Sequence, residues 1–244
     1  MAARQWQGLC VRPGMGKLGA GMKCLVTAGP TFEPLDRVRR LTNFATGRLG
    51  SELARLLASQ GHTVILLRGA GATWGGGVAP DAVFTTTADL EKQLAALAGP
   101  AMDAIFHTAA VCDFTVRRAW RGQPDGQWTE ETSGKWTTRG GPLRVELVPT
   151  PKLIGRLRVW FPRARIAGWK FEVEGDRATA LTRAEEQIAE FGTHGCVANG
   201  PAYGEGFGWV TGPGRHQHQA DAAALFATLA EWLMRGSGEA QGVL

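Results

Sequence analysis

The sequence predicts an α/β fold in which a parallel sheet is covered by helices on both faces. Three observations carry this. Short β-prone runs at Lys23–Thr27, Thr63–Leu67, Ala82–Thr86 and Ala104–Thr108 alternate with amphipathic stretches. After the first run, Leu49, Leu53, Leu56 and Leu57 recur at the spacing of one helix face. A hydrophobic content of 44% over 244 residues, with 20% charged, is that of a globular chain able to fill a sizeable core.

Taken in order, Lys23–Thr27 is strand one, and a helix from Gly47 to about Gln60 follows, closed by Gly61. Thr46 stands as its N-cap. Thr63–Leu67 is the second strand, Gly69–Pro80 a glycine-rich loop without visible chemistry, and Ala82–Thr86 the third strand. Leu90, Leu94 and Leu97 mark a second helix, ended by Gly99-Pro100, and Ala104–Thr108 is the fourth strand. From Thr115 to Gly141 Gly, Pro, Thr, Trp and Arg mingle without period over a length unusual for a connection, so the stretch reads as a flap or as disordered chain. Leu143–Val148 alternates as a strand does, and Thr150-Pro151 reads as cap and first turn of a helix with Leu153, Leu157 and Trp160 on its apolar face. Arg165–Gly168 and Cys196–Ala198 are further strands, separated by a helix bearing Leu181, Ala184, Ile188 and Phe191. Gly204–Thr211 is a hairpin or bulged strand near the sheet edge, and Asp221 to about Met234 a closing helix. The whole is a Rossmann-like sheet with a flap at about 115–141 and a small edge hairpin, a single domain over 23–235 between loose tails at 1–22 and 236–244. Met22, directly before the first strand, is a candidate start.

The net charge of +5 and a pI near 9.3 suit anionic small molecules. The basic residues are scattered rather than blocked, which argues against nucleic acid, and no apolar run is long enough for a bilayer. Cys10, Cys24, Cys112 and Cys196 form no CxxC pair or regular framework and read as reduced thiols of a cytoplasmic protein.

In parallel sheets ligands bind beyond the carboxyl ends of the strands, so the loops Ala28–Thr46 and Ala109–Phe114 are the places to look. The turn Thr42–Gly50, TNFATGRLG, combines Gly47, which lets the backbone approach a ligand, with the N–H groups of a helix start and the charge of Arg48. Asn43 stands just outside it, able to donate and to accept. The G-x-G-x-x-G fingerprint is absent after strand one, where only Gly29 precedes Pro30, and Tyr203 has no lysine four residues on; both disfavour a nicotinamide oxidoreductase. His216 and His218 form an H-x-H pair weighed as a metal site, and Cys112 is read as a buried thiol rather than a nucleophile.

These residues add up to a resemblance. LVTAGPTFEPLDRVR, TNFATGRLG, HTAAVCDF, SGKWTTRGGPL and VANGPAYGEGFG stand in the order and spacing of the phosphopantothenate–cysteine ligase family, over roughly Lys23 to Leu233. The chain resembles the stand-alone form of that enzyme, without the decarboxylase half. The resemblance implies ligation of 4′-phosphopantothenate and L-cysteine in coenzyme A biosynthesis, through an acyl-nucleotidylate made from ATP or CTP. It also implies Mg²⁺ accompanying the triphosphate, and a homodimer in which flap and edge hairpin take part.

Carried over residue by residue, Lys135 matches the family's flap lysine, Asn43 the asparagine that orients the activated acyl group, and Arg39 an anion clamp for the acyl substrate. Gly29, Ala45, Thr46, Gly47 and Arg48 are implied to contact phosphate, Ala110 and Asp113 to line the pocket, and Lys170, Phe171, Asn199 and Phe207 to lie about the nucleotide. Three departures matter. Ala45-Thr46 replaces a double serine, a single lysine stands on the flap, and Gly200 follows Asn199 where aspartate is common. Lys170, where cytidine users tend to have alanine, leans the reading towards ATP. The rivals are a catalytically degenerate nucleotide-binding regulator, an NAD(P) oxidoreductase, and a nucleic-acid-binding protein favoured by pI alone.

Overall fold

The computed structural model describes residues 21–239 of the chain, with side chains through 235. Most of the two expected tails, 1–20 and 240–244, lies outside the described residues. The strands are β1 (Lys23–Ala28), β2 (Phe32–Pro34), β3 (Arg40–Thr42), β4 (Thr63–Gly69), β5 (Ala82–Phe84), β6 (Ala104–His107), β7 (Phe114–Gly122), β8 (Trp128–Glu130), β9 (Leu143–Pro149), β10 (Arg165–Phe171), β11 (Gly195–Asn199), β12 (Phe207–Gly212) and β13 (Arg215–Gln219). The helices are α1 (Arg48–Ser59), α2 (Thr87–Ala96), α3 (Leu153–Trp160), α4 (Arg177–Phe191) and α5 (Ala222–Glu239).

Eight strands form the main sheet in the order β13-β12-β11-β10-β6-β1-β4-β5. From β11 to β5 all neighbours are parallel, and β12 and β13 add an antiparallel edge hairpin. Strand β1 explains why both faces are covered. Successive side chains of a strand point to opposite faces. Cys24, Val26 and Ala28 therefore join Leu53, Leu57, Leu225 and Leu229 of α1 and α5. Leu25 joins Leu90, Leu94, Leu153, Leu157 and Phe161 of the opposite layer. A strand buried on both sides reads as a near-continuous apolar run, and CLVTA is one apart from Thr27, whose hydroxyl is paired with His107.

The order of the chain reverses between β1 and β6, since β4 and β5 lie on one side of β1 and β6, β10 and β11 on the other. Gly50 lets α1 close on this junction. A Cβ there would lie 2.3 Å from Thr108 Oγ1 and 2.7 Å from the Ala28 methyl.

Several expected boundaries shift. Helix α1 begins at Arg48, and its N-cap is Gly47 in the left-handed region (φ 79°) rather than Thr46; no side chain caps it. The Thr46 hydroxyl accepts from the Arg48 N–H at 3.3 Å, a local i to i+2 turn bond just before the helix. Helix α3 starts at Leu153 with Lys152 at its N-cap, and the Thr150 hydroxyl donates to the Cys112 carbonyl instead of capping it. Helix α5 continues to Glu239, past the expected end near Met234, through Gly236 and Gly238, each of which costs only about 1 kcal/mol.

The aperiodic stretch 115–141 contains two strands. Strands β8, β7 and β9 make a separate antiparallel sheet, so the alternating run at 143–148 pairs with β7 and not with the main sheet. A bulge between Val116 and Arg118 shifts the register within β7 and breaks the alternation that would have betrayed it. In the edge hairpin the second arm, RHQHQ, is wholly polar and carries no apolar period, as suits an edge.

Replacing Gly50 by Ala should cost about 1–3 kcal/mol of stability through overpacking, although alanine is the better helix former. Urea unfolding of the two proteins measures this.

Candidate active site at the carboxyl edge of the sheet

In a doubly wound sheet the ligand crevice opens where strand order reverses. Here that point is the gap between the carboxyl ends of β1 and β6. Gly29 turns the chain after β1 with φ 82°. Ala110 then continues the ladder beyond the strands, donating to the Gly29 carbonyl at 3.0 Å and accepting from the Thr31 N–H at 3.1 Å. The same Ala110 carbonyl accepts from Asn43 Nδ2 at 3.0 Å. Asn43 is itself exposed, and while its amino group is fixed, its amide oxygen has no hydrogen-bond partner among the described residues. Gly29, Asn43 and Ala110, predicted separately, thus meet at one point.

Beside them Gly47 packs against Gly29: a Cβ on Gly47 would lie 3.2 Å from the Gly29 Cα. Ala45 is half-buried and Thr46 exposed within this turn. Arg48 does not project freely. Its Nε donates to Glu52 at 3.1 Å, and its guanidinium lies 5.1 Å from the ring centre of Trp74. Trp74 also donates its main-chain N–H to the Thr46 carbonyl at 3.0 Å, and the Ala72 methyl sits against Gly29 and Gly47. The loop that carries no visible chemistry in sequence is therefore the wall that holds the turn.

Below the crevice His107 is buried, its Nδ1 2.9 Å from Thr27 Oγ1. Burial disfavours the imidazolium and lowers its pKa to about 4. Burial, with Arg158 and Arg165 nearby, also lowers His194 to about 4 at the opposite end of the sheet.

The flap lysine lies at the far end of the β2–β3 hairpin. Among the described residues the Lys135 ammonium has no hydrogen-bond or ion-pair partner, but its neighbours are held. Gly134 accepts from the Arg37 N–H at 2.9 Å, and Trp136 donates to Asp36 at 3.1 Å. Arg39, expected as an anion clamp, instead chelates Asp36 through Nε (3.0 Å) and Nη2 (2.6 Å) and donates to the Trp136 carbonyl at 2.6 Å. Burial alone would raise the Asp36 pKa, but the Arg39 guanidinium and the N–H groups of Trp136, Val38 and Arg39 outweigh it and hold the carboxyl well below the usual range. From the other side Arg121, nearly buried, ion-pairs with Glu131 and donates to the carbonyls of Thr137 (3.0 Å) and Gly141 (3.3 Å). The lysine loop thus meets the tip of the β2–β3 hairpin while Asn43 stands at its exit, with four extended residues, about 13 Å of chain, between Arg39 and Asn43.

On the other side of the crevice, Asn199 and Phe207 line a cavity of about 470 Å³ with Gly200, Pro201, Gly204, Glu205, Gly206 and Ala220. Gly200 must be glycine there: φ is 111°, and a Cβ would lie 2.4 Å from the Glu172 carbonyl oxygen. Phe171 is exposed at the end of β10. Lys170 does not line this cavity. It alternates onto the α4 face, where its ammonium lies 3.5 Å from the buried Glu172 carboxylate that Arg183 also engages. Asp113 is exposed at the mouth, 2.5 Å from the Lys152 ammonium, a partner that no motif flagged.

Two further candidates from the sequence are placed as follows. His216 and His218 lie on β13, with His218 Nδ1 2.9 Å from the Tyr203 hydroxyl, and among the described residues no three His, Cys, Asp or Glu are grouped to hold a metal. Cys112 is buried, its thiol donates to the Thr31 carbonyl, and burial raises its pKa.

The class is thus a doubly wound α/β protein with its crevice at the switch point and a braced flap over the carboxyl edge. Residues 19–211 match the family model described as "DNA/pantothenate metabolism flavoprotein C-terminal domain", and the chain belongs to that family. It is 30% identical over 179 residues, 73% of its length, to the coenzyme A biosynthesis bifunctional protein CoaBC of Thermococcus kodakarensis, of which this covers 41%. The corresponding protein of Methanocaldococcus jannaschii is 26% identical over 73% of this chain and 40% of its own length, so the chain spans about two-fifths of these relatives. In fold it is similar to the DNA/pantothenate metabolism flavoprotein of Streptococcus pneumoniae, with TM-score 0.75, 22% identity and coverage of 88% and 99%. A Cab2 mutant in complex with phosphopantothenate-cysteine gives TM-score 0.63 at 18% identity, covering 90% of this chain and 89% of that one.

Because His107 and His194 bind protons less readily folded than unfolded, the unfolded state takes up more protons between the ordinary histidine range and about pH 4. The contribution of these two histidines to stability should therefore fall as pH drops from about 6.5 towards 4 and stay level above. Urea midpoints against pH test this, and replacing His107 by Gln should flatten part of the slope.

Proposed function

We propose that this chain ligates 4′-phosphopantothenate to L-cysteine in coenzyme A biosynthesis, with ATP or CTP as activating nucleotide. The observation that carries the reading is Asn43 anchored on the Ala110 carbonyl at the switch point, beside the Gly29–Gly47 turn. In the proposed reaction the substrate carboxylate attacks the α-phosphate, the bond to pyrophosphate breaks, and an acyl-nucleotidylate forms. The cysteine amine then attacks the acyl carbon, loses a proton, and expels the nucleoside monophosphate. Neither step needs a side-chain nucleophile. The protein's part is to hold two anions in line and to neutralise charge at phosphorus.

In this reading Asn43 presents its amide oxygen to the activated acyl group, with Ala110 and Asp113 as the wall on the β6 side. The Thr46–Arg48 turn faces the phosphates, and Asn199 and Phe207 take the nucleoside. Lys135 supplies the positive charge to the triphosphate. Arg39 serves as the brace of the lysine loop. Lys170, engaged by Glu172, no longer gives the base a contact on which to prefer ATP, so both nucleotides stand. Mg²⁺ belongs to the proposal as the companion of the triphosphate, where it would neutralise part of the phosphate charge; among the described residues no group of three or more His, Cys, Asp or Glu is placed to hold a metal. A homodimer with flap and edge hairpin at its interface completes the proposal, and sedimentation would test it.

Pyrophosphate release that depends on phosphopantothenate, compared for ATP and CTP at equal concentration, tests the reaction; no release with either overturns it. In the Asn43→Asp variant the acyl-nucleotidylate should form but be consumed slowly, so that it accumulates on a quench-flow time course. Lys135→Gln should slow pyrophosphate release roughly 10²-fold or more, and full activity would remove Lys135 from the mechanism.

A further inference from the structure

Among the described residues the Lys135 ammonium has no partner, and what is fixed is the main chain around it. Those bonds converge on one carboxylate. The Asp36 side chain is 1% exposed, although it sits in a two-strand turn on the surface of the molecule. Its Oδ1 accepts from the N–H groups of Val38 (2.8 Å) and Arg39 (2.7 Å), which shapes the turn itself. Its Oδ2 accepts from Arg39 Nε (3.0 Å) and Nη2 (2.6 Å) and from the Trp136 N–H (3.1 Å), which joins the turn to the lysine loop. One oxygen serves local structure and the other reaches across 100 residues of sequence. The Arg39 guanidinium completes the joint through the Trp136 carbonyl, and Trp136 itself is 9% exposed.

We propose that Asp36 is a positioning residue of the ligase reaction, latching the lysine loop so that Lys135 is presented from a fixed backbone. The proposal rests on the reading of Lys135 given above. Asp36 touches no substrate; it acts through residues 134–136. Only a carboxylate fits the task. Five N–H donors converge on it, and an acceptor-only group with two oxygens is the one side chain that can satisfy them all. An asparagine there would turn a donor towards the Arg39 guanidinium or the Trp136 N–H. With the latch closed, only the side chain of Lys135 remains to be ordered when the nucleotide binds, rather than the loop.

The alternative is that Asp36 merely shapes its own turn, in which case the Oδ2 bonds are incidental. Trypsin cleavage of the folded full-length chain at the Lys135–Trp136 bond, followed by mass spectrometry, separates the two. Cleavage should be at least tenfold faster in Asp36→Asn than in the wild type, while cleavage after exposed Arg215 is unchanged. If Asp36→Asn does not fold, as judged by its melting curve, Arg39→Gln removes the same guanidinium bonds from a half-exposed side chain and should accelerate the same cut. In the activity arm, Asp36→Asn should slow pyrophosphate release at least tenfold, and adding Lys135→Gln should slow it no further than Lys135→Gln alone. Unchanged cleavage overturns the latch. Faster cleavage with an unchanged rate, or losses that multiply in the double variant, overturns the positioning role. A wild type that releases no pyrophosphate sinks the ligase reading instead, and the cleavage ratio still decides whether Asp36 holds the loop.

Discussion

The main-chain amide of Ala110 is the joint on which the site depends. Strands β1 and β6 stop pairing as regular strands at Thr27 and His107, yet Ala110 extends the ladder through Gly29 and Thr31. That extension brings the β2–β3 hairpin back over the end of the sheet. It also leaves one carbonyl lone pair for the Asn43 side chain. A carbonyl has two acceptor sites, and here both are filled, one by backbone and one by the candidate acyl-orienting group. The position of Asn43 is therefore set by the sheet itself and not by a loose loop.

The glycines around that joint divide among themselves the work that a contiguous dinucleotide fingerprint concentrates. Gly29 makes the sharp turn, Gly47 allows backbone to meet backbone, and Gly50 seats the helix on the strands. Residues 30–46 are inserted between the first and the second. The insertion changes the chemistry. Where a dinucleotide enzyme has a single residue between its first two glycines, this chain has a hairpin that carries Asn43 at its exit and Asp36 at its tip.

The parts legible in sequence are those governed by one periodicity and a single layer of burial. Strand β1, helix α1 and the pairing of the 28–46 and 109–114 loops at one edge follow from apolar runs, a 3.6-residue repeat and the rule for parallel sheets. What escaped was set by distant partners. The N-cap moved to Gly47 because the turn must fit against Gly29 and Ala72, which no local pattern encodes. Strand β7 was hidden by its bulge, and Trp74 by a loop whose partner, Arg48, lies 26 residues earlier (74 − 48). Lys170 was assigned to the nucleotide by correspondence of motifs, but strand alternation sends it to the α4 face, towards Glu172. Arg39 lay in the right neighbourhood with a different occupation, because Asp36, three residues before it, claims two of its donors.

Glu33 explains how the flap and the crevice can share one frame. It is buried in β2, a costly place for a carboxylate unless each oxygen is satisfied. One oxygen accepts from the Thr87 N–H at the start of α2 (2.9 Å), where the helix dipole favours negative charge, and the other from the Thr115 hydroxyl at the base of the flap (3.1 Å). The hairpin is thus pinned to the α2 layer and to β7 by one side chain, to the β6 loop by Ala110, and to the lysine loop by Asp36. Three attachments along one short hairpin make it a strut. A triphosphate drawing Lys135 inward would pull on the same strut that holds Asn43, so the groups that the proposed reaction needs at opposite ends of its substrate are mechanically one unit.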